Sequence, residues 1–595
     1  MRLYSVNEFN ILAFLARRLM RQHVYALCVF PIFPPLEGLL RGLVNLTARA
    51  GIDPWAANLV ESLELFEKNP AEVEYAHIYP RYEAGLNEVY GIGRVDLDDY
   101  TYPYQHAASS WLKFHLGKLV RLNLTRDRMA AGEVTVQNLP RDLLECYEVV
   151  YGQRLNVAPA TGRRMNATGN LVITVAMLFA TFLAILKRTR ISTSQRDDCE
   201  FILGADLSHE DARSFFTQII DEADSVIFLA RNAEVTDSFA AGALAKYHHI
   251  TPDDGHFSGV GAALQIFGET VRTFWKMYAA LWQLETGLYF SIVKLVHHRV
   301  KFRALFNCFK MQGFLARDEY NPEHIVRTQE LRRQGILSLG LTHGMSTGPR
   351  VYPHTRYLDF DILYVFGNRQ REAYADTWSS QMRVRPIGAF RPSRKNWADK
   401  TSGRRNEILI FGNQDTDPPR HIEIAREIAR AFPDRKITVK LKYRRDYIGA
   451  SRYDPYIEQL GALPENVEVT DQGRPYEMML RAGYSFSGLS TVVAEAVQLG
   501  MCSFFIDVYD TNQDIFFRDF PDLCVNSADT AIRRIQEIES DVWRYPREAF
   551  ADLIECSSEN PFDKIRVDLG LPPWPYDKEA VVPAKQGEEI RRVAS

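Results

Sequence analysis

The sequence predicts an α/β protein whose C-terminal part is a Rossmann-like, doubly wound domain. From about residue 355 onward, short apolar runs alternate with helical patterns, which is typical of βαβ units and a parallel sheet. The composition agrees with a folded protein, because 46% hydrophobic and 25% charged residues are ordinary globular values. The chain of 595 residues has room for two to four domains at roughly 150 residues each.

The predicted C-terminal domain covers residues 355–576 and alternates between strands and helices. The strands are predicted at 361–366, 383–387, 408–411, 437–441, 467–469, 483–486 and 503–508. The helices are predicted at 369–377, 422–431, 476–482, 491–499 and 528–540. Residues 577–595 are polar and charged, which predicts a disordered tail.

A second domain is predicted at residues 198–354, built partly from helices. Apolar runs indicate strands at 201–203, 225–230 and 336–341, and the pattern of 261–312 is mostly helical. Asn321 and Pro322 are good N-cap and N1 residues for a helix that runs to Arg333.

The first 197 residues are expected to form a mixed α/β region, with a possible role in acceptor or membrane association. Residues 25–32 indicate a short buried strand. Residues 71–110 are rich in Tyr, His, Pro and Asp and have no clear period, so loops with short elements are expected there.

Charge and cysteine content favour a cytoplasmic protein that does not bind nucleic acid. The net charge is −4, which gives no global attraction to a polyanion. The seven cysteines include no C-x-x-C pair, which fits reduced thiols. The apolar run at 11–16 is too short for a signal peptide and is followed by Arg17.

Two segments are candidates for peripheral membrane contact at the inner face of a membrane. Residues 171–186 carry no charge and are followed by Lys187, Arg188 and Arg190. This run predicts either a buried helix or interfacial hairpin, or a helix that dips into lipid beside a basic cluster. The first candidate is therefore 171–190. The second candidate is 282–306, which mixes aromatic and basic residues. It is either an amphipathic surface facing anionic lipid or an ordinary surface helix.

Candidate site residues follow the predicted strands, because doubly wound sheets bind ligands beyond the carboxyl ends of their strands. His343 and Gly344 follow one strand, and a neutral imidazole there is a candidate general base. Asp206 and Glu210 are weaker candidates for the base. The alternative is that His343 is structural. Gly412, Asn413 and Gln414 follow another strand.

The remaining candidates would bind a phosphorylated ligand. Residues 435–452 contain seven basic residues and one acidic residue. Within this run Lys440, Lys442 and Arg444 alternate along a strand end, either converging on a diphosphate or forming a solvated edge. After the strand at 483–486 come Ser487, Ser490 and Thr491, which open a helix that contains Glu495. Ser490 and Thr491 suit a phosphate, or Ser490 is only an N-cap; Glu495 would accept from sugar hydroxyls or be solvated.

These residues together resemble a known family. His343-Gly344 after a strand resembles the His-Gly motif of bacterial capsule, teichoic-acid and related surface-polysaccharide transferases. The stretch 481–500 (RAGYSFSGLSTVVAEAVQLG) is similar to their donor-binding segment Ser-Ser/Thr, Glu-Ala, Leu-Gly, and 437–442 is similar to their strand that ends in Lys-x-His-Pro. The resemblance covers roughly residues 310–530.

The resemblance implies a GT-B fold, in which two Rossmann-like domains face each other across a cleft. It implies transfer of a sugar from a nucleotide-sugar donor to a surface polysaccharide or lipid-linked glycan acceptor. It further implies that His343 is the base or a donor-phosphate contact, and that Ser490, Thr491, Lys440 and Lys442 hold the phosphates. Neither a metal nor a cofactor is expected, because basic residues neutralise the leaving group in such enzymes.

One departure from the family pattern leaves other functions open. The His-Pro dipeptide is absent, and Lys442-Tyr443-Arg444 stands in its place. A nucleotide-sugar 2-epimerase is the alternative enzyme with the same fold. A catalytically silent scaffold in a polysaccharide assembly complex is the alternative of a different class.

Overall fold

The structure is a computed structural model of the whole chain. It describes residues 2–6, 24–29, 84–112, 135–137, 139, 141–155, 157, 163–190, 200–206, 218–220, 225–230, 248–344, 353–374, 381–390, 406–412, 418–441, 463–470, 475–488, 490–506, 521–555 and 560–573, with a few isolated positions elsewhere. The predicted tail at 577–595 lies outside these residues.

The first large sheet is parallel and has seven strands among the described residues. A small three-stranded sheet and one strand pair complete the numbering. β1 (Arg2–Val6), β2 (Val24–Val29) and β3 (Thr135–Gln137) form the small parallel sheet, and β4 (Thr189–Arg190) pairs with β8 (Phe257–Ser258). The strands of the large sheet are β5 (Glu200–Asp206), β6 (Val226–Leu229), β7 (His248–Ile250), β9 (Lys310–Ala316), β10 (Leu337–Leu341), β11 (Ile362–Val365) and β12 (Arg383–Pro386). Their spatial order is β12-β11-β10-β9-β5-β6-β7, so the order in which strands are added reverses between β5 and β9, as in a Rossmann sheet.

The second large sheet is also parallel and contains six strands in the described part of the chain. They are β13 (Glu407–Gly412), β14 (Ile437–Leu441), β15 (Val467–Thr470), β16 (Ala482–Ser487), β17 (Cys502–Ile506) and β18 (Cys524–Val525). The order β15-β14-β13-β16-β17-β18 is again the Rossmann order, with the reversal between β13 and β16. The fold is therefore α/β with two Rossmann-like sheets, as predicted.

The partition of strands between the two sheets differs from the prediction. The boundary at residues 354/355 put the strands at 361–366 and 383–387 into the C-terminal domain. In the structure β11 pairs with β10, and β12 pairs with β11, so both belong to the first sheet. Alternation of strands and helices identifies a βαβ unit but not the sheet that it joins, because the joining partner is set by long-range pairing.

The helices are numbered in chain order, and those of the C-terminal half follow the predicted positions closely. They are α1 (Arg141–Tyr151), α2 (Arg163–Arg188), α3 (Val260–Leu281), α4 (Thr286–Cys308), α5 (Glu323–Arg333), α6 (Asn368–Tyr374), α7 (Pro418–Ala431), α8 (Pro475–Arg481), α9 (Val492–Gln498), α10 (Ala528–Glu539) and α11 (Pro561–Asp568). The helical pattern predicted at 261–312 corresponds to α3 and α4, but its last residues form the start of β9.

A helical unit joins the N-terminal region to the two long helices inserted between β8 and β9. Residues 84–89 and 101–112 are helical, so the expectation of loops with short elements across 71–110 is wrong for these stretches. Together with α1, α2, α3 and α4 they share one buried apolar core, which includes Tyr104, Tyr147, Phe274 and Ile292. We call this assembly the helical unit.

The segment 282–306 does not form the basic amphipathic surface considered above. Most of α4 is buried, including Tyr289, Val296 and Phe302. Two of its basic side chains pair with carboxylates: Arg299 lies 3.1 Å from Asp99, and Arg303 pairs with Glu269 and Glu330. In contrast, the segment Asn166–Arg188 within α2 is long and apolar enough to cross a membrane, and only 33% of its most apolar window is buried.

Two buried carboxyl groups join α1 to the start of α4. The Glu285 carboxylate caps α4 by accepting from the amides of Gly287 at 2.8 Å and Leu288 at 3.1 Å. The Glu285 amide in turn donates to Asp142 Oδ2 at 3.0 Å. Burial raises the pKa of Asp142 to about 7. Burial, followed by the nearby Asp142 charge, raises the pKa of Glu285 to about 8.

These pKa values predict that stability falls as the pH rises. A carboxyl group with a raised pKa in the folded state binds more protons there than in the unfolded state, between the ordinary pKa near 4 and the raised value. The free energy of unfolding therefore decreases from about pH 4 to about pH 8. Asp142→Asn keeps an acceptor oxygen for the Glu285 amide but removes one charge, so its Tm should fall less between about pH 5 and pH 8.

The measurement is thermal unfolding followed by circular dichroism across this pH range. Asp541→Asn, which changes an exposed carboxylate in the second domain, is the matched control and should follow the wild type. Equal loss of Tm in Asp142→Asn and wild type would contradict the assignment of the pH dependence to this pair.

Candidate functional site

The strand order of the second sheet places two predicted residues at its switch point. Ligands of doubly wound sheets bind outside the carboxyl ends of the strands where the order reverses. Here β13 ends at Gly412 and β16 ends at Ser487. The Ser487 side chain is buried, and its Oγ has no hydrogen-bond partner among the described residues.

Lys440 lies at the same level of the sheet as Ser487. The parallel register pairs Phe411 of β13 with Lys440 on one side and with Ser487 on the other. Residues paired in this way share one face of the sheet. Lys440 and Ser487 lie on either side of β13, so their backbones are two strand spacings apart, or roughly 10 Å. Lys440 is buried, and its Nζ donates to the Leu441 carbonyl at 2.6 Å. A buried ammonium group and a buried hydroxyl thus flank the switch point.

The residues after β16 are more engaged within the protein than the sequence predicts. Ser490 Oγ accepts from the Val492 amide at 3.3 Å, so Ser490 has the capping role that was the alternative to phosphate binding. Thr491 makes no side-chain capping bond at the start of α9. Glu495 is buried and accepts from the Tyr476 hydroxyl at 3.1 Å, so it is not solvated.

Five further candidates cannot be placed. Asn413, Gln414, Lys442, Arg444 and Glu210 lie outside the described residues. Their predicted roles remain predictions.

His343 follows β10 directly and forms a pair with Glu319. Its Nδ1–H donates to Glu319 Oε2 at 2.8 Å, and its backbone amide donates to Glu319 Oε1 at 2.5 Å. The Glu319 side chain is 5% exposed and the His343 side chain 39% exposed. Because Nδ1 faces the carboxylate, the opposite ring nitrogen, Nε2, is the atom available to a substrate.

The loop that carries Glu319 was missed by the sequence analysis. It comprises residues 317–320 and follows β9, which was not predicted as a strand and whose first residues, 310–312, fall in the predicted helical stretch 261–312. Arg317 donates to the His343 carbonyl at 2.7 Å, and the ring of Tyr320 lies 4.7 Å from the His343 ring. The rule of inspecting the residues after each strand finds this loop once β9 is recognised as a strand.

A buried ion-pair network holds this loop in place and includes Asp206. Arg327, on α5, is 1% exposed and donates to both Asp318 oxygens, at 2.6 and 2.7 Å. It also donates to Asp206 Oδ2 at 3.4 Å. Asp206 is therefore a buried partner of a guanidinium, and its prediction as the weaker base candidate is wrong.

The two sheets bring His343 and Thr491 close together. A Cβ atom placed on Gly344 would lie only 2.7 Å from Thr491 Cγ2, so the loop after β10 packs directly against the start of α9. Gln498 also bridges the domains, since its Oε1 accepts from the Ala389 amide at 2.6 Å and its Nε2 donates to the Glu555 carbonyl at 3.0 Å. The predicted base and the predicted donor segment therefore lie next to each other.

This arrangement is suited to removing a proton from a hydroxyl group. A buried carboxylate fixes the imidazole and can stabilise the imidazolium that forms on proton uptake. The described residues contain no group of three or more His, Cys, Asp or Glu side chains that could hold a metal ion.

A separate cavity lies in the helical unit and contains none of the predicted site residues. It is lined by residues 97–100 and by α3 and α4. Its charged side chains pair with one another, for example Arg303 with Glu269 at 2.7 Å and Arg333 with Asp99 at 2.6 Å. We interpret these ion pairs as structural contacts between the elements that line the cavity.

No protein family model and no curated protein matches the chain. Solved structures do match it. A UDP-GlcNAc 2-epimerase from Neisseria meningitidis, bound to UDP-GlcNAc, is 12% identical with a TM-score of 0.38, and the match covers 62% of this chain and 98% of that one. The glycotransferase of kitacinnamycin is 14% identical with a TM-score of 0.36, covering 64% and 100%. Apo UGT2 of Phytolacca americana is 10% identical with a TM-score of 0.37, covering 62% and 99%. Identities and TM-scores this low do not assign a function to this chain.

The contact between Gly344 and Thr491 can be tested by a double-mutant cycle. Gly344→Ala should lower the stability by about 1–3 kcal/mol, because the added methyl group overpacks against Thr491 Cγ2. Thr491→Ser removes Cγ2 and keeps the hydroxyl, so the double variant should recover most of the loss. The measurement is the Tm of the four proteins.

Gly268→Ala is the matched control, since nothing lies within 4 Å of the added Cβ on α3. It should leave the Tm unchanged or raise it. Strictly additive effects of the two changes would show that the loops are not in contact.

Proposed function

We propose that the protein is a glycosyltransferase that moves a sugar from a nucleotide-sugar donor to a hydroxyl group of a surface polysaccharide or lipid-linked glycan. The observation that carries the proposal is the pairing of His343 with the buried Glu319, next to the switch point of the second sheet. A base on one Rossmann-like sheet faces a ligand crevice on the other. A transfer reaction needs both parts, a base for the acceptor and a site for the donor.

The proposed reaction is a substitution at the anomeric carbon of the donor. The acceptor oxygen forms the new bond, His343 Nε2 takes its proton, and the bond from the sugar to the phosphate breaks. The nucleotide leaves with the electron pair of that bond. Glu319 is a positioning residue that keeps Nδ1 protonated and stabilises the imidazolium.

The donor would bind at the edge of the second sheet. Lys440 and Ser487 are buried on one face at the same level, and they supply a positive charge and a hydroxyl donor. Lys442 and Arg444 follow in sequence and would add charge to neutralise the leaving phosphates. Neither a metal nor a cofactor is part of this proposal.

The first experiment identifies the donor. Thermal shift is measured with UDP, GDP, CDP and CMP, since a ligand that binds only the folded state raises the Tm. The sugar derivatives of the stabilising nucleotide are then tested for transfer and hydrolysis. Conversion of the donor sugar without an acceptor would identify a 2-epimerase instead. Absence of a shift with every nucleotide would leave the scaffold as the better description.

His343→Ala should lower the turnover number by about 10²–10⁴-fold with little change in donor KM, because a positioned base is lost. Glu319→Gln should also lower turnover, since a neutral amide cannot stabilise the imidazolium in the same way. Added imidazole should restore part of the activity of His343→Ala, because the site is open to solvent. Steady-state kinetics with the identified donor gives these values.

The control for this pair is a second His–Glu pair in the helical unit. His298 Nδ1, on α4 of that unit, lies 3.0 Å from Oε1 of Glu323 on α5, and the His298 side chain is partly exposed like that of His343. His298→Ala should keep the activity of the wild type. Unchanged turnover in His343→Ala, or an equal loss in His298→Ala, would refute the base assignment.

A further inference from the structure

One face of α2 is both exposed and apolar. The exposed apolar side chains recur at helical spacing and are Leu171, Val172, Val175, Phe179, Leu183 and Leu186. From the first to the last they extend over roughly 22 Å at 1.5 Å per residue. Phe179 is 61% exposed and Leu183 48% exposed. A continuous apolar stripe of this kind is uncommon on a surface that faces only water.

The opposite face of the same helix points into the protein and carries polar side chains that bond to it. Asn170 Nδ2 donates to the carbonyls of Trp282 at 3.0 Å and Leu284 at 2.8 Å. Further along, the buried Thr174 hydroxyl lies 2.5 Å from the Tyr289 hydroxyl, and Thr181 Oγ1 lies 3.2 Å from His297 Nδ1. Polar side chains of α2 are thus buried beside Ile173 and Ile185 while large apolar side chains are exposed, which is unlike a surface helix in water. It resembles helices whose outer face contacts lipid and whose inner face hydrogen-bonds to neighbouring helices.

The apolar stripe continues onto α3, which packs beside α2. The rings of Phe182 and Phe267 are 5.2 Å apart between the two helices. On α3 and just after it, Leu264, Trp275 and Trp282 are exposed. Tryptophan is favoured where an apolar environment meets a polar one, as at the headgroup level of a bilayer. We call the stripe on α2 together with these three residues the apolar face.

The part of the sequence that contains α2 carries charge of one sign. Residues 149–196 contain seven Lys or Arg residues and no Asp or Glu. Among them Lys187 is exposed and lies at the end of the stripe. Its partner Asp253 lies on another segment and is shared with the buried Arg188. Basic residues beside an apolar face complement the negative surface of an anionic bilayer.

We propose that the apolar face is a docking surface for an anionic phospholipid bilayer, on which α2 and α3 lie parallel to the membrane plane. The helices would insert their exposed side chains into the boundary between headgroups and acyl chains. A spanning arrangement fits less well, because the polar side of α2 is hydrogen-bonded to the helical unit along its length. The proposal does not depend on the enzymatic activity.

The test uses full-length protein purified without detergent and mixed with vesicles. Wild-type protein should float with vesicles of phosphatidylcholine and phosphatidylglycerol, and more weakly with phosphatidylcholine alone. The double variant Phe179→Glu/Leu183→Glu should bind at least about tenfold more weakly, because two inserted side chains are replaced by anionic ones. Both positions are exposed, so the Tm of the variant should equal that of the wild type.

A matched control and a second readout keep the test specific. Val542, in the second domain, is 76% exposed, and Val542→Glu should bind as the wild type does. Tryptophan fluorescence should be quenched by brominated lipid in the wild type and not in the double variant. Binding that is equal in all three proteins, or absent from the wild type, would overturn the proposal. So would a wild-type dimer in sedimentation that the double variant dissociates, because a second copy would then cover the apolar face.

Discussion

The pairing of Arg327 with Asp318 is the constraint on which the geometry of the candidate site depends. A guanidinium buried to this degree must be compensated by opposite charge, because an unpaired buried charge is strongly unfavourable. Asp318 supplies two hydrogen bonds and Asp206 a third contact. Because Glu319 is the next residue after Asp318, fixing one backbone position sets the other. The orientation of His343 is therefore determined from α5 through the loop after β9.

Most strands could be predicted from the sequence because the second sheet is buried on both faces and its strands are short apolar runs. Strand β9 was missed for a local reason. Helix α4 ends at Cys308, and the extended residue Phe309 leads into β9 without a glycine or proline to mark the boundary. Because that strand was not recognised, Glu319, which lies in the loop after it, was not among the predicted site residues. The assignment of β11 and β12 to the first sheet depends on pairing between distant residues, which local patterns do not encode.

The helix at 101–112 was missed because hydrophobic periodicity in a sequence indicates a helix that is buried on one side only. Tyr100, Tyr104, Ala108 and Leu112 are all buried, and so is His106 between them, so no solvated face alternates with the core. The opposite case is α2, whose composition suggested a buried helix or a lipid-facing one. Only the structure separates its faces and reveals that large apolar residues such as Phe179 and Leu183 are exposed, whereas Ile173 and Ile185 are buried. Composition identifies such a segment, but contacts decide which side meets the protein.

The helical unit and the candidate site are physically connected through His106. Burial lowers the pKa of His106 to about 3, so the ring is neutral, and its Nε2–H donates to the Glu319 carbonyl at 3.0 Å. The unit that carries the apolar face therefore contacts the residue that orients His343. A bilayer bound at that face would hold the base at a fixed distance from the membrane. If both the proposed transfer reaction and the proposed bilayer contact hold, this arrangement would favour an acceptor that is itself anchored in lipid over a freely diffusing glycan, because both reacting groups would then be confined to the same surface.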